Sequence, residues 1–177
     1  MTDVMIDIET FGNGNRACIV QVGGCYFDRY TGEIGETFKM NIDATSSVKA
    51  GCEIDADTIY WWLGRSEEAI RSITETPRID VSGAMVAFNH FLKDAGNVWS
   101  HATFDFVIVT NTFKLLGIKP SFHYRAARDI RTLVNLAGTD TYKIKREGTH
   151  HDALADCLHQ VNYCVEAFNR LTDRHHK

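Results

Sequence analysis

The sequence predicts an α/β fold in which a three-strand antiparallel meander and shorter parallel strands form one mixed sheet, with helices on both faces. The first quarter of the chain contains three strand-like apolar segments, the third of which alternates apolar and polar residues. From residue 57 onward, apolar residues recur at helical spacing, and two short strand-like segments interrupt them. This order of elements favours a mixed sheet of five strands. A length of 177 residues suits one domain, so we expect residues 1–177 to form a single unit.

The meander is expected from three apolar segments near the start of the chain. The first strand covers residues 4–8 and the second covers residues 18–27. The turn-forming residues 28–32 separate the second strand from a third at residues 36–42. Short connections of this kind join antiparallel neighbours.

Helices and two more strands follow the meander, and the helix ends carry the expected stop and start residues. Ser66 can cap one helix, and a glycine directly follows four others. We expect helices at residues 57–63, 66–73, 81–95, 104–116, from about 130 to 137 and at 152–171, with strands at 97–100 and 126–129.

The composition indicates a cytoplasmic protein that is not embedded in a membrane. No run of about 18 apolar residues occurs, so no transmembrane helix is expected. No basic stretch precedes the first apolar strand, so no signal peptide is expected. The five cysteines are scattered and odd in number, which is typical of reduced thiols without a disulfide framework or structural zinc.

The charge distribution points to a nucleic-acid partner even though the net charge is −4. Residues 114–146 contain eight basic and two acidic residues, a local charge of +6, so the remainder of the chain carries −10. A basic segment on an acidic protein can bind a phosphate backbone next to an acidic metal centre. The alternative is a solvated basic face with no partner.

Asp7 and Glu9 are the most informative residues of the first strand. They lie two positions apart in an apolar segment, so both carboxylates point to the same face of the strand. Like charges on a half-buried strand repel each other and resist desolvation. A cation between them removes that conflict, and hard divalent ions such as Mg²⁺ prefer carboxylate ligands.

A second group of candidates opens the last predicted helix. His151 lies five residues before Asp156, about 140° away round a continuous helix, so the two converge only if His151 belongs to the preceding loop. A histidine there can act as a general base near neutral pH. His150 and Asp152 compete for these roles, and spacing alone favours Asp152 with Asp156.

Asp105 is the third candidate, because it follows a short predicted strand at the start of a helix. Ligands of α/β sheets bind where strands end and helices begin. The alternative is an acidic residue that only favours the helix dipole.

Together these positions form an ordered set that resembles the DEDD superfamily of 3′→5′ exonucleases, in its histidine-containing (DEDDh) branch with an RNase H-like fold. Residues 7–12 (Asp-Ile-Glu-Thr-Phe-Gly) and 151–156 (His-Asp-Ala-Leu-Ala-Asp) carry the resemblance, which covers residues 4 to about 170. Residues 19–23 are similar to the family's second strand. Stand-alone exoribonucleases and phage exonuclease A type enzymes are the most similar members.

Two departures from the family pattern bear on substrate preference. The family often has Thr-Thr-Gly where this chain has Thr10-Phe11-Gly12. The segment that leads to Asp105 often begins with Asn, and here it begins with His101.

The resemblance implies a metal-dependent 3′→5′ exonuclease that acts on single-stranded RNA or DNA with a free 3′ end and releases nucleoside 5′-monophosphates. RNA is favoured over DNA, and a homodimer is expected. Two divalent cations, Mg²⁺ or Mn²⁺, are implied, with Asp7, Glu9 and Asp156 as ligands of the first ion. Asp7 also bridges to the second ion, which Asp105 supports, and His151 is the general base. The resemblance thus decides for His151 and Asp156 over Asp152.

Several further residues are candidates for contacts with the nucleic acid. Aromatic side chains near the acidic pair can stack on a base, whereas core packing is the alternative for the adjacent tryptophans. Basic residues of the +6 segment can contact phosphates. The substrate-binding candidates are Thr10, Phe11, Gly12, Trp61, Arg128, Lys145 and Arg146.

A rival hypothesis is a catalytically weak nucleic-acid-binding module on the same fold. The presence of all five expected catalytic positions favours the enzyme.

Overall fold

The computed structural model describes residues 1–174 and contains one five-stranded sheet in the order β3-β2-β1-β4-β5. The strands are β1 (Asp3–Thr10), β2 (Ile19–Phe27), β3 (Ile34–Asn41), β4 (Asn97–Ser100) and β5 (Ala127–Asp129). β1, β2 and β3 pair antiparallel, whereas β4 pairs parallel with both β1 and β5. The predicted mixed sheet with an antiparallel meander is therefore confirmed.

Seven α-helices surround the sheet within the described residues. Short 3₁₀ turns follow α4 and precede β5 and α7. The helices are α1 (Ala44–Lys49), α2 (Ala56–Leu63), α3 (Glu67–Thr74), α4 (Val81–Phe91), α5 (Asp105–Leu115), α6 (Ile130–Ala137) and α7 (Ala153–Arg174). None of the helices in residues 1–174 is both long enough and apolar enough to span a membrane.

β1 separates two hydrophobic cores because its side chains alternate between the faces of the sheet. Val4, Ile6 and Ile8 are buried in the core formed with α4 and α5. Met5 faces the opposite core, which α6 and α7 cover. Burying one apolar side chain of this size contributes about 1.5–3 kcal/mol to stability. Asp7 and Glu9 continue the face of Met5, so they point towards the side that α7 covers.

The predicted elements agree with the structure except at two places. α1 was not predicted, because its six residues include few strong helix formers. Asp43 accepts a hydrogen bond from the Ser46 backbone and caps this helix, a local signal that the apolar pattern does not contain. The helix expected at residues 81–95 ends as an α-helix at Phe91, and a 3₁₀ turn at Leu92–Asp94 completes it.

Candidate active site

Asp7 and Glu9 lie at the carboxyl end of β1, beyond its pairing with β4. The ladder between these strands ends at Met5, which is paired with Trp99. Both acidic residues are nevertheless buried, with 7% of Asp7 and 8% of Glu9 exposed. The strand therefore holds two adjacent carboxylates in a protected position, as the period of two predicts.

α7 reaches these carboxylates because β2 carries a glycine where the helix begins. A Cβ atom at Gly23 would lie 2.5 Å from the carbonyl carbon of Ala153, so a larger residue would push the helix away. Gly23 is paired with Asp7 across the β1–β2 ladder. This close approach brings the first turns of α7 next to Asp7.

Two side chains of α7 face the acidic pair. Asp156 lies in the first turn of the helix and is 8% exposed. Gln160, one turn later, donates a hydrogen bond of 2.6 Å from Nε2 to Oδ1 of Asp7. Oε1 of Gln160 is buried and has no hydrogen-bond partner within residues 1–174. Sequence reasoning missed Gln160, although its position four residues after Asp156 puts both on one helix face.

Asp105 enters the site from the first residue of α5 and is almost completely buried. Its Oδ2 accepts a hydrogen bond of 3.0 Å from the His101 backbone. Its Oδ1 lies 3.4 Å from the backbone nitrogen of Ile8, which donates to it. These contacts fix the carboxylate between β1 and the loop that follows β4.

His151 belongs to the turn before α7, as convergence with Asp156 requires. Its φ angle of 63° is left-handed, which is uncommon for a residue other than glycine. The imidazole packs edge-to-face on Trp61, with 4.8 Å between ring centroids, and stacks on His150 at 3.8 Å. Burial, aided by the neighbouring His150, lowers the pKa of His151.

Asp152, the competing candidate, is held in a different network. Its Oδ2 accepts hydrogen bonds from Lys39 and, at 2.6 Å, from Ser72. Its Oδ1 accepts the Ala155 backbone N–H and so caps α7. Hydrogen bonds from Lys39 and Ser72 outweigh partial burial and lower the pKa of Asp152. This carboxylate is fully engaged, and it anchors the start of α7.

The pKa values of Asp7, Glu9 and Asp105 are raised, in contrast to that of Asp152. Burial, followed by repulsion from Asp105, Glu9 and Asp156, raises the pKa of Asp7 well above its usual value. Burial and repulsion from Asp156 and Asp105 raise the pKa of Glu9 to about 9. Burial raises the pKa of Asp105 to about 7, although backbone hydrogen bonds oppose the increase. The cluster therefore resists carrying its full negative charge unless a cation compensates it.

The donor atoms of the cluster fit divalent cations. Ligand atoms of Asp7, Glu9 and Asp156 lie within 4.8 Å of one another, as do those of Asp7, His101 and Asp105. The two groups share Asp7. Carboxylate oxygens are the ligands that hard divalent ions prefer, so each of these groups would suit a divalent ion.

A positive charge already lies next to one of these ligands. Arg146, in the loop before α7, donates from Nη1 to Oδ1 of Asp156 and forms an ion pair with it. The guanidinium is 29% exposed and the carboxylate 11%. Arg146 was predicted to bind substrate, and in this structure its partner is a candidate metal ligand.

The segment Thr10-Phe11-Gly12 beside the acidic pair is tightly packed. Thr10 is buried, and its Oγ1 donates to the Gly12 carbonyl at 2.6 Å. The Thr10 carbonyl accepts a bond of 2.8 Å from Nε1 of Trp62. Phe11 is partly buried against the small core that contains Trp62. Contacts of these residues with a substrate stay a prediction.

The remaining substrate-binding candidates differ in exposure. Trp62 is buried, whereas 41% of Trp61 is exposed beside His151. Arg65 lies over the Trp61 ring, 4.4 Å from its centroid. Lys145 is exposed, and Arg128 donates to the carbonyls of Arg125 and Ala127.

The chain is similar to known exonucleases. A family model described as "3'-5' exoribonuclease Rv2179c-like domain" matches residues 2–168. The exodeoxyribonuclease of Enterobacteria phage T4 is 28% identical over an alignment of 204 residues. The alignment includes 91% of this chain and 86% of the relative.

Solved structures share the fold at low sequence identity. Exonuclease I without ligand is 13% identical with a TM-score of 0.64, and the match covers 97% of this chain but 44% of that one. E. coli Exonuclease I in complex with a dA16 oligonucleotide is 13% identical with a TM-score of 0.61, covering 97% and 43%. Cell-death related nuclease 4 is 16% identical with a TM-score of 0.51, covering 94% and 63%. The chain thus spans less than half the length of Exonuclease I.

Proposed function

The chain belongs to the 3′-5′ exoribonuclease Rv2179c-like domain family of DEDD-type exonucleases, and from that premise we propose that it removes nucleotides from the 3′ end of single-stranded RNA. The observation that carries the proposal is the buried cluster of Asp7, Glu9, Asp105 and Asp156 beside a histidine in a strained turn. The proposed products are nucleoside 5′-monophosphates. The family description favours RNA, whereas the phage relative is described as acting on DNA, so DNA is the competing substrate.

The proposed metal ligands follow from the two groups of donor atoms. Asp7, Glu9 and Asp156 would hold one divalent ion, and Asp7 and Asp105 would hold the second. Mg²⁺ and Mn²⁺ are the proposed ions. When bound, they supply charge neutralisation at the scissile phosphate and increase the acidity of the attacking water. The raised pKa values of Asp7 and Glu9 support this assignment, because a cation offsets the burial and the repulsion that cause them.

Residues of the chain itself would position the water and the substrate. His151 is proposed to accept the proton of the attacking water, since its lowered pKa keeps the imidazole neutral at neutral pH. The hydrogen bond from Gln160 would hold the Asp7 carboxylate in one orientation while Asp7 binds metal.

The exposed ring of Trp61, beside His151, is proposed to bind the 3′ end of the strand. The exposed part of Trp61 can stack on a terminal base, a contact worth about 1–3 kcal/mol. Phe11 is the second stacking candidate, and Thr10 and Gly12 would act through their backbone. Arg128, Lys145 and Arg146 are proposed phosphate contacts. The oligonucleotide complexes of E. coli Exonuclease I support binding of a single strand on this fold.

Cleavage of matched oligonucleotides tests the proposal. 5′-labelled RNA and DNA of one sequence, incubated with Mg²⁺ or Mn²⁺, should shorten stepwise from the 3′ end, with RNA degraded faster. Asp7→Ala is the control and should leave both substrates intact. Cleavage by Asp7→Ala at the rate of the unmodified protein would contradict the mechanism, and faster loss of DNA would reverse the substrate preference. A cytoplasmic location, a homodimer and a single domain over residues 1–177 stay predictions of the sequence.

A further inference from the structure

His101 is the one nitrogen donor in the group of atoms around Asp105. It directly follows β4, and its side chain is 27% exposed. Its Nδ1 lies 3.8 Å from Oδ2 of Asp105. Suitable ligand atoms of Asp7, His101 and Asp105 all lie within 4.8 Å of one another. Imidazole nitrogen is a metal ligand of a different chemical class from carboxylate oxygen.

We propose that His101 is a ligand of the ion that Asp7 and Asp105 would hold. The half of the site formed by Asp7, His101 and Asp105 therefore prefers Mn²⁺, Co²⁺ or Zn²⁺ over Mg²⁺, whereas the other half is formed by Asp7, Glu9 and Asp156. The inference rests on the proposed function, because it assumes that the acidic cluster binds divalent cations. It goes further by giving the two halves of the site different ion preferences.

The distances allow His101 and Asp105 to share one ion. Metal–nitrogen and metal–oxygen bonds of about 2.0–2.2 Å place two ligands of one ion at most about 4.4 Å apart. The separation of 3.8 Å between Nδ1 and Oδ2 falls inside that limit. The same Oδ2 accepts one backbone hydrogen bond, and a carboxylate oxygen keeps a second lone pair for an ion.

The loop that carries His101 is held in place on both sides. The His101 backbone donates to Asp105, and the backbone of Ala102 donates to Oδ1 of Asp129 at 3.1 Å. Oδ2 of Asp129 also caps α6 by accepting from the Thr132 backbone. Asp105 at the start of α5 and Asp129 at the end of β5 thus hold the backbone that carries the imidazole before any ion binds. Such preorganisation is what a ligand needs for tight metal binding.

The two halves of the site differ in donor type. The group of Asp7, Glu9 and Asp156 offers only oxygen, which suits Mg²⁺, whereas His150 and His151 form a separate group with Asp156 that contains neither Asp7 nor Glu9. Asp7, His101 and Asp105 offer both oxygen and nitrogen. Imidazole nitrogen is a ligand that suits transition metals, whereas Mg²⁺ prefers oxygen ligands. For the two groups that contain Asp7, one ion of each kind is therefore the arrangement that the donors favour.

His101→Asn tests the proposal, because asparagine replaces the nitrogen donor by a shorter amide and keeps the backbone bond to Asp105. The metal-free full-length protein would be titrated calorimetrically with Co²⁺ and with Mg²⁺. We expect Co²⁺ affinity at one site to fall by about tenfold or more and Mg²⁺ affinity to change by less than about threefold. Equal losses for both ions, or none, would overturn the proposal.

Pulsed electron paramagnetic resonance of bound Mn²⁺ provides a readout that is independent of activity. Coupling of Mn²⁺ to an imidazole nitrogen should be present in the unmodified protein and absent from His101→Asn. His151→Asn is the matched control and should keep the coupling, since His151 lies near Asp156 in the other half. Persistence of the coupling in His101→Asn, or its loss in His151→Asn, would overturn the assignment.

A third measurement does not depend on how the variants fold. In the unmodified protein with ¹⁵N-labelled histidine, Zn²⁺ should shift the imidazole nitrogen resonances of His101, and an unchanged His101 signal at saturation would overturn the proposal. Failure of the proposed function is a separate result. It would appear as a protein that binds no divalent ion and cleaves no oligonucleotide. Metal-dependent cleavage without nitrogen coupling from His101 would remove this inference alone.

Discussion

Asp152 and Asp156 lie one helical turn apart, yet they belong to two regions with opposite electrostatics. Asp152 accepts hydrogen bonds from Lys39, Ser72 and the helix backbone, and its pKa is lowered. We call these residues the anchor network. Asp156 faces Asp7 and Glu9, and with Asp105 these three residues form what we call the acidic cluster. Burial and repulsion raise the pKa of Asp7 and Glu9.

The difference shows which carboxylates are available for chemistry. Oδ2 of Asp152 fixes α7 to Lys39 of β3 and Ser72 of α3, and Oδ1 caps α7, so this residue contributes stability. Charging the buried acidic cluster costs stability in the metal-free protein, and a cation offsets that cost. Proteins often retain unfavourable groups of this kind at functional sites, so the contrast supports the cluster as the site and the network as its scaffold.

The largest expected effect follows from removing a charge from the acidic cluster. Asp7→Asn should lower kcat/KM by about 1000-fold or more, because a shared metal ligand is lost. The same change should stabilise the metal-free protein, since the amide oxygen can still accept from Gln160 while the repulsion disappears. Nuclease assays and thermal unfolding without metal measure both. A variant that is clearly less stable than its parent would mean that Asp7 has a structural role.

Breaking the anchor network should give the reverse pattern. Asp152→Ala should lower the free energy of unfolding by about 2–3 kcal/mol, because it removes a helix cap and leaves Ser72 and Lys39 without their acceptor. Urea denaturation checks this value. Asp152→Asn is the control, since asparagine keeps the cap and should lose less. Full stability in Asp152→Ala would show that the network does not hold α7.

The two regions should also respond to pH in opposite directions. The pKa of Glu9 is raised from 4.5 to about 9, so its contribution favours folding at low pH and is lost as pH rises through that range in the metal-free protein. The pKa of Asp152 is lowered from 3.8, so its contribution is present above that pH and is lost on acidification through its lower folded value. Unfolding free energies measured from pH 3 to 9 test both trends, with a flatter alkaline arm expected for Glu9→Gln. An unchanged alkaline arm in Glu9→Gln would exclude Glu9 as the source.

The smallest effect concerns the ion pair that connects the loop before α7 to the cluster. Arg146→Gln should strengthen Mg²⁺ binding severalfold, because the guanidinium no longer competes for Asp156. Calorimetric titration of the metal-free protein measures the change. Lys145→Gln is the matched control, since Lys145 is an exposed neighbour with similar charge, and it should alter Mg²⁺ affinity less. Equal changes in Mg²⁺ affinity for the two substitutions would indicate that any positive charge near the cluster weakens Mg²⁺ binding, without competition by Arg146 for Asp156.

Much of the fold could be predicted because its signals are local. The apolar segments of β1 and β2 and the glycines after the helices set the elements to within a few residues, and the alternation of side chains along a strand placed Asp7 and Glu9 on one face. α1 was missed because a side-chain cap, and no apolar periodicity, defines it.

The sequence alone determined the chemical types in the site and their order along the chain. Only the tertiary structure decided that Gly23 lets α7 approach β1, that Gln160 holds Asp7, that Arg146 pairs with Asp156 and that Asp152 belongs to the scaffold. The reason is that the face of a strand or helix on which a side chain lies depends on residues nearby in the sequence. Hydrogen bonds and ion pairs between distant segments depend on how the helices pack on the sheet.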